Sequence, residues 1–430
     1  MKKYILIVFT IIITSFYFFP FNFRFLPTVN TKMGMAALGL VILAVQLARN
    51  RNTQINKDFF FVSLFAAFVS LAGLFSVVYN NTADYAYASY IVSMWVWVSA
   101  AYVVVSLIRY VHGTVSVYLL CNYLIVLCAA QCILALTMDL NESVQQFIYS
   151  IQEEGVEEFL EKKNRLSGLG AGLDIAGSRF SAILVMISFL CVNYIKNIKK
   201  YLFLYMLAFV IIAVIGNMIG RTTTVGMLIA IAYFIIGSIF FMSKEDRSYV
   251  WSWGVGILMI AVPVFVYLYN NVPALYENLR FGFEGFFSLV EKGRWEVHSN
   301  EMLKEGYIFP DNPKTWLIGD GYFGSTFNDP YYTGVDWGGF YKGSDVGYSR
   351  FLFYFGILGL GAFSIFMLKV CQVCIKHFHA YRFMFLMLVA LNFLVWLKVS
   401  TDIFLVFAPF LCISPEENDA FEERVVLNKV

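Results

Sequence analysis

Residues 201–219, YLFLYMLAFVIIAVIGNMI, are followed by Gly220-Arg221-Thr222 and then by a second apolar run at 223–242, TTVGMLIAIAYFIIGSIFFM. A helix needs about 20 apolar residues to cross the hydrocarbon core of a bilayer. Both runs meet that length, and the link between them leaves room only for a tight turn. The pair reads as two antiparallel membrane-crossing helices, with Arg221 at the boundary they share.

The same pattern recurs in both directions. Apolar windows fall at 4–19, 33–48, 59–78, 86–108, 114–137, 176–195, 201–219, 223–242, 251–269, 346–369, 383–398 and 400–414. In lipid the backbone has no water to bond, so these are helices; the alternation of a membrane β-barrel is missing. The expected fold is an all-α polytopic membrane protein of about twelve transmembrane helices, ten or eleven if the short end windows are left out, forming one transmembrane domain over 1–430. Composition agrees. Hydrophobic residues make up 60% of the chain and charged residues 14%, against roughly 25% charged in soluble proteins. The 44 Phe and 27 Tyr suit a bilayer and its interfaces. A net charge of +2 implies no nucleic-acid partner. Lys2 and Lys3 precede a run that ends in aromatics and Pro20, without a small-residue cleavage site, so it reads as an uncleaved first span.

Positive charge sets the orientation. One set of short loops carries Lys2, Lys3, Arg49, Arg51, Lys57, Arg109, Lys196, Lys199, Lys200, Lys244, Arg247, Lys376 and Arg382; the alternate set carries chiefly Arg24, Lys32 and Arg221. The first set and both termini are expected in the cytoplasm. Two polar segments then fall on the outer side, at 138–175 and 270–345, and function is expected there. Within the second, Leu275, Leu279, Phe283, Phe287 and Val290 recur at helical spacing, so 274–305 reads as an amphipathic helix on the outer membrane surface. From Asp311 to Ser344 the density of Gly, Pro, Asn and Asp reads as irregular loop or short hairpins.

A cation at the hydrocarbon edge snorkels, pairs or serves a ligand. Arg165, Arg221, Arg294 and Arg350 are the candidates for a ligand, since guanidinium forks bind phosphate oxygens bidentately; Arg179 reads as snorkelling. Among carboxylates, Glu296 follows Arg294, Asp320 lies between Gly319 and Gly321, and Asp345 stands where the loop re-enters the membrane. Partial desolvation there would suit a general base, while Ser344 and Asp345 suit a helix N-cap equally well. His298 reads as surface or packing. Cys371 and Cys374 form a Cys-x-x-Cys ahead of His377 and His379, which reads as a helix end in preference to a metal site. The other cysteines sit in apolar runs and read as core.

The order of these features resembles the O-antigen polymerase and O-antigen ligase superfamily. It consists of Arg165 in the shorter outer loop, Arg221 at a tight turn, then a large loop containing Gly293-Arg294, Ile-Gly-Asp-Gly at 318–321 and Ser344-Asp345-Val346-Gly347-Tyr348, followed by Gly356-Ile357-Leu358-Gly359-Leu360. The resemblance covers about residues 160–370 and implies a fold like that of the class C glycosyltransferases. Gly177 follows Arg165 and Gly306 follows Arg294 one residue farther than in the family's pattern. Asp345 stands where ligases carry a His, which favours polymerisation. The resemblance implies a glycosyltransferase of the bacterial inner membrane that builds O-antigen, capsule or similar polysaccharide. Donor and acceptor would be glycans on undecaprenyl diphosphate, and a chain-length regulator protein would be a partner. No cofactor or metal is implied. Arg165, Arg221, Arg294, Arg350 and Tyr348 would bind substrate, Asp345, Glu296 and Asp320 would be the catalytic carboxylates, and Tyr322, Trp337 and Tyr341 would stack on sugars. The rival expectations are an O-antigen ligase, with another acceptor, and a flippase for the same lipid-linked oligosaccharide; the latter would place ionisable groups in mid-membrane and show internal repeats.

Overall fold

The computed structural model describes residues 2–49, 57–158, 165–327, 329–330, 332–335, 337 and 339–427. Arg51 and the polar stretch 159–164 lie outside them. The chain is 77% helical and nearly all-α. Among the described residues nine helices are long and apolar enough to cross a membrane. In chain order the helices are α1 (Lys2–Phe18), α2 (Thr31–Arg49), α3 (Lys57–Asn80), α4 (Tyr90–His112), α5 (Val117–Leu140), α6 (Glu142–Ile151), α7 (Leu173–Asn193), α8 (Leu202–Ile219), α9 (Thr223–Phe240), α10 (Lys244–Asn271), α11 (Pro273–Gly282), α12 (Glu284–Lys292), α13 (His298–Gly306), α14 (Pro313–Ile318), α15 (Gly347–His377), α16 (Arg382–Val395), α17 (Phe404–Leu411) and α18 (Pro415–Leu427). The nine are α2–α5, α7, α8 with the short turn before it, α9, α10 and α15. The remaining expected windows are helical too, in the shorter α1, α16 and α17. A two-stranded antiparallel hairpin, β1 (Asn22–Phe23) and β2 (Leu26–Asn30), follows α1.

The surface of α10 explains why these helices need lipid. Only Val250 and Ile257 are buried, while Met259, Ile260, Val262 and Tyr267 are each more than half exposed. Water would not tolerate an apolar patch of that extent on a stable helix.

The described residues fall into two compact units, one of residues 1–37, 100–296 and 412–430, the other of 38–99 and 297–411. The first is built around α7, which is buried from Ala176 to Val192 and packs against α5, α8 and α9. Apolar burial drives little association between helices in lipid, so small residues and interhelical hydrogen bonds matter. Here Gly226 of α9 lies flat on Ser181 of α7. Ser181 Oγ donates to the Thr222 carbonyl (2.9 Å) and accepts from Gly226 N–H (3.1 Å). One turn pair further, Ser188 Oγ donates to the Ala230 carbonyl at 2.6 Å. In the same unit the acidic tail docks onto the α4–α5 turn. Glu417 takes a two-pronged pair from Arg109 and the Val115 N–H (3.0 Å), and Asn418 accepts from Val117 N–H.

The second unit is organised by α15 against α3, α14 and α16. The α3 face is the stripe Val62, Ala66, Val69, Gly73, Ser76 and Val77, the three- and four-residue spacing of one helical side. Inside α15 the backbone breaks at Phe355 (φ −141°) and Gly356 (φ +65°). The break releases carbonyls within a span, and the Gly319-Asp320-Gly321 backbone answers them. Asp320 N–H donates to Phe353 O (2.6 Å) and Gly321 N–H to Tyr354 O (3.1 Å). Ser76 Oγ adds a bond to Tyr354 O (2.7 Å), and Asn80 and Thr82 hold the carbonyls of Gly319 and Gly321. Gly319, Gly321 and Gly356 all have positive φ, and a Cβ on Gly356 would strike the Leu317 backbone. The Ile-Gly-Asp-Gly and Gly-Ile-Leu-Gly motifs are thus two halves of one lock.

One reading of the 270–345 segment is corrected. The single amphipathic helix expected over 274–305 is three helices, α11–α13, broken at Phe283 and at Gly293, whose left-handed φ (+69°) ends α12. Leu275 and Leu279 are buried, with α11 packed on α8 and α10, while Val290 is 86% exposed. The apolar positions therefore do not form one membrane-facing stripe. Between 311 and 344, the described residues follow the irregular-loop alternative and not the hairpins, with α14 and a short 3-10 turn inside the loop.

Gly356→Ala is expected to cost about 1–3 kcal/mol of stability and to lower the thermal unfolding midpoint in detergent, whereas Gly361→Ala, where a Cβ meets nothing within 4 Å, leaves the midpoint in place. Equal midpoints for the two variants would refute the lock.

Candidate functional site

The first unit gathers two of the four predicted arginines. Arg221 stands in the turn between α8 and α9, and Arg165 in the segment leading into α7. Both guanidinium groups lie over one ring, that of Phe281 near the end of α11, at 4.4 Å for Arg221 and 4.6 Å for Arg165. Each faces a carboxylate. Arg221 is ion-paired to Glu284 at the start of α12. Arg165 lies 3.7 Å from Asp174 Oδ2, whose other oxygen accepts the Thr222 hydroxyl at 2.6 Å. The turn can come this close because Gly177 lacks a side chain: a Cβ there would sit 2.8 Å from the Gly220 carbonyl oxygen. The Arg165…Gly177 spacing in the sequence is therefore one piece of geometry, with the arginine contributing charge and the glycine admitting the Arg221 turn.

Burial pushes the Arg165 guanidinium below its ordinary value; Asp174 opposes that shift and Arg221 adds to it. Two cations over one phenyl ring, each paired with its own carboxylate, make a compact charge cluster. Arg221 is 13% exposed and Glu284 35%, so the cluster is open on its Glu284 side. An anionic ligand with several oxygens that displaced the carboxylates would meet both forks at once. Asp174, Glu284 and Phe281 are the members that the sequence did not single out. Asp174 and Glu284 read as ordinary helix starts and Phe281 as an ordinary helix end, and only the meeting of distant elements gives them partners.

Arg294 is not among the contacts of that cluster. It is 74% exposed and pairs with Glu296 (2.5 Å), which also takes Lys292 (2.6 Å). The hydrogen bond from Lys292, with the field of Arg294, holds the Glu296 carboxyl below the usual range. A carboxylate held anionic between two cations is a poor proton acceptor. Arg179, expected to snorkel, is instead buried in the first unit and donates to the Phe18 carbonyl at 2.6 Å. It caps the C-terminal end of α1, where a cation complements the helix dipole.

The second unit holds the remaining predicted residues. Asp320 accepts Lys314 Nζ (2.9 Å), Thr315 Oγ1 (2.6 Å) and the Tyr341 hydroxyl (3.2 Å). Burial, reinforced by Asp320, pushes the Tyr341 hydroxyl well above its ordinary value, so it stays a donor. Three donors on one carboxylate make Asp320 a fixed centre of the loop. Arg350 is buried, with its plane between the rings of Phe323 (3.7 Å) and Phe340 (3.8 Å). Its Nε and Nη2 donate to the Phe323 carbonyl (3.2 and 2.7 Å) and its Nη1 to Ser400, so it clamps the loop. Tyr348 donates its hydroxyl to the Phe393 carbonyl (3.0 Å) and packs on Trp396.

Asp345 departs from the cap reading. It lies exposed on the protein surface, and the N-cap of α15 is Val346, which has no side-chain hydrogen bond. Its neighbour Ser344 is buried and donates to the Gly306 carbonyl at 2.5 Å. Of the aromatics expected to stack on sugars, Tyr322 is buried, donates to Asp329 (2.9 Å) and packs against Tyr332 and Tyr341. Trp337 is 41% exposed and lies with Tyr341 and Phe353 around Lys342, whose φ of +58° is unusual for a residue with a Cβ. Cys371 and Cys374 are buried thiols of α15.

Compared with known proteins, the chain matches no family model, no curated sequence and no solved structure.

The pairing of Arg221 with Glu284 is open to a double-mutant cycle. Glu284→Gln alone is expected to lower the unfolding midpoint in detergent more than Glu284→Gln combined with Arg221→Gln, with a coupling of about 1 kcal/mol for a pair that is partly screened. Additive effects would mean that the two side chains do not meet.

Proposed function

We propose that the protein is a glycosyltransferase of the bacterial cytoplasmic membrane that polymerises lipid-linked oligosaccharide repeats at the outer face. The reading adds α1, α16 and α17 to the nine long helices for about twelve spans, with both termini in the cytoplasm. The observation that carries it is the convergence of Arg165 and Arg221 on Phe281, with Asp174 and Glu284 as counter-ions. A membrane-boundary site with two guanidinium forks fits the diphosphate that joins a glycan to a polyprenyl carrier. In the proposed reaction the terminal hydroxyl of an acceptor repeat attacks the anomeric carbon of the donor glycan. The new C–O bond forms as the bond to the diphosphate breaks. The two arginines hold the diphosphate oxygens, where charge builds as the carrier leaves. The attacking hydroxyl gives its proton to a carboxylate, and Asp345 is nominated for that role by its place in the sequence alone. Its place at the point where ligases of the family carry a His favours polymerisation over ligation. The flippase alternative draws no support from the broken α15, because the carbonyls freed at that break are bonded by the chain itself, and a transporter would leave them to an ion or substrate.

The test is chain growth by the purified protein in nanodiscs supplied with polyprenyl-diphosphate-linked repeats, read as a glycan ladder. Arg165→Ala and Arg221→Ala are expected to slow elongation by about 10²–10³ fold, the effect of losing a donor to developing charge. Arg294→Ala is expected to stay within a few fold. A full ladder from both Arg165→Ala and Arg221→Ala would sink the diphosphate clamp.

Among the carboxylates, Asp345→Asn is expected to lower the elongation rate by about 10² fold or more, as for a lost general base, and Glu296→Gln to leave it nearly unchanged. The reverse order would move the base to the Lys292–Glu296–Arg294 cluster.

A further inference from the structure

We infer that the apolar cleft bounded by α8, α9 and α10 in the first unit, with α7 as its floor, holds the hydrocarbon tail of a single-chain anionic prenyl lipid whose head lies at the Arg165–Arg221 pair. The inference rests on the reading of that pair as a diphosphate site.

The cleft measures about 490 Å³ and is lined by Met206, Val210, Ile231, Phe234, Gly254 and Ala261, among other apolar residues. Close packing is the rule between protein helices, and this gap breaks it. On the α10 side only Val250 and Ile257 are buried, and a Cβ at Gly254 would meet nothing within 4 Å. An opening walled by hydrocarbon does not hold water, so in a membrane it is filled by a chain.

The chain's direction follows from the end of the cleft. Phe283 lines it, and the next residue, Glu284, pairs with Arg221. Two residues before Phe283, the Phe281 ring has both guanidinium groups over it. The glycine between them, Gly282, sits against the Asn217–Met218 backbone near the C-terminal end of α8. The four-residue corner Phe281–Glu284 therefore joins the cleft to the arginine pair. A ligand filling both has a charged head and an apolar tail in direct sequence. The size of the cleft suits a single tail. At about 30 Å³ for each water-sized group, the space takes roughly sixteen methylene-sized units, the length of one chain.

The experiment uses the full chain in phosphatidylglycerol nanodiscs with geranylgeranyl diphosphate bearing a benzophenone at the far end of its tail. After illumination, label is expected on peptides covering 206–214 and 254–265. Ala261→Phe, a substitution into the open gap, and Met206→Trp, from the opposite wall, are each expected to lower that label at least tenfold. Unlabelled geranylgeranyl diphosphate should compete at least tenfold better than geranylgeraniol. Label spread evenly over the exposed faces of α2 and α3 would overturn the inference, as would two variants that leave it unchanged. Equal competition by the alcohol would remove the link to the arginines, and displacement by added phosphatidylglycerol alone would make the occupant bilayer lipid. None of these readouts needs glycan transfer. Label in the cleft without any ladder would leave the cleft standing and end the polymerase reading; a ladder without label would do the opposite.

Discussion

A polar group inside a bilayer has only its own chain to bond with, and that constraint accounts for the arrangement in both units. Where α15 breaks at Phe355–Gly356, the carbonyls of Phe353 and Tyr354 are taken by the backbone of Asp320 and Gly321 and by Ser76. Without those donors the break would leave orphaned carbonyls in hydrocarbon, costing several kcal/mol each. The loop from 311 to 344 is consequently part of the helix packing. Its anchor points are Asp320 under Lys314, Thr315 and Tyr341, and Arg350 between two aromatic rings.

The same constraint operates on charge in the first unit. Arg179, Arg165 and Arg221 all occur near the ends of apolar runs, yet their partners differ. Arg179 has the carbonyl at the end of α1 and a buried position, which is a structural use. Arg165 and Arg221 face side-chain carboxylates across one phenylalanine ring. Carboxylates can be exchanged for another anion, and a backbone carbonyl cannot. That difference in partner separates Arg165 and Arg221 from Arg179, while Arg294 differs from the pair in its exposure, 74% of its side chain being open.

Much of this is legible in the sequence. The apolar runs gave the helices and most of their bounds, because hydropathy over about 20 residues is enforced by the bilayer itself. Arg165, Arg221 and the Gly-Asp-Gly turn stood out as residues that a membrane boundary tolerates only with a partner. The loop was harder to read. The 3.6-residue spacing over 274–305 was real but interrupted, since Gly293 and the bend at Phe283 turn successive segments onto different surfaces. Asp345 suits a helix cap by its place in the sequence, and the fold gives that position to Val346.

The order of residues is enough to make the chain a bundle of apolar helices and to locate its costly charges, because burial in lipid acts residue by residue on composition. Which charges meet is a matter of packing: Phe281 joins Arg165 to Arg221, Asp174 and Glu284 oppose them, and Asp320 seals the break in α15. Those pairings link positions far apart in the chain. They are set by which helix faces pack together, and a local pattern of residues carries no record of that choice.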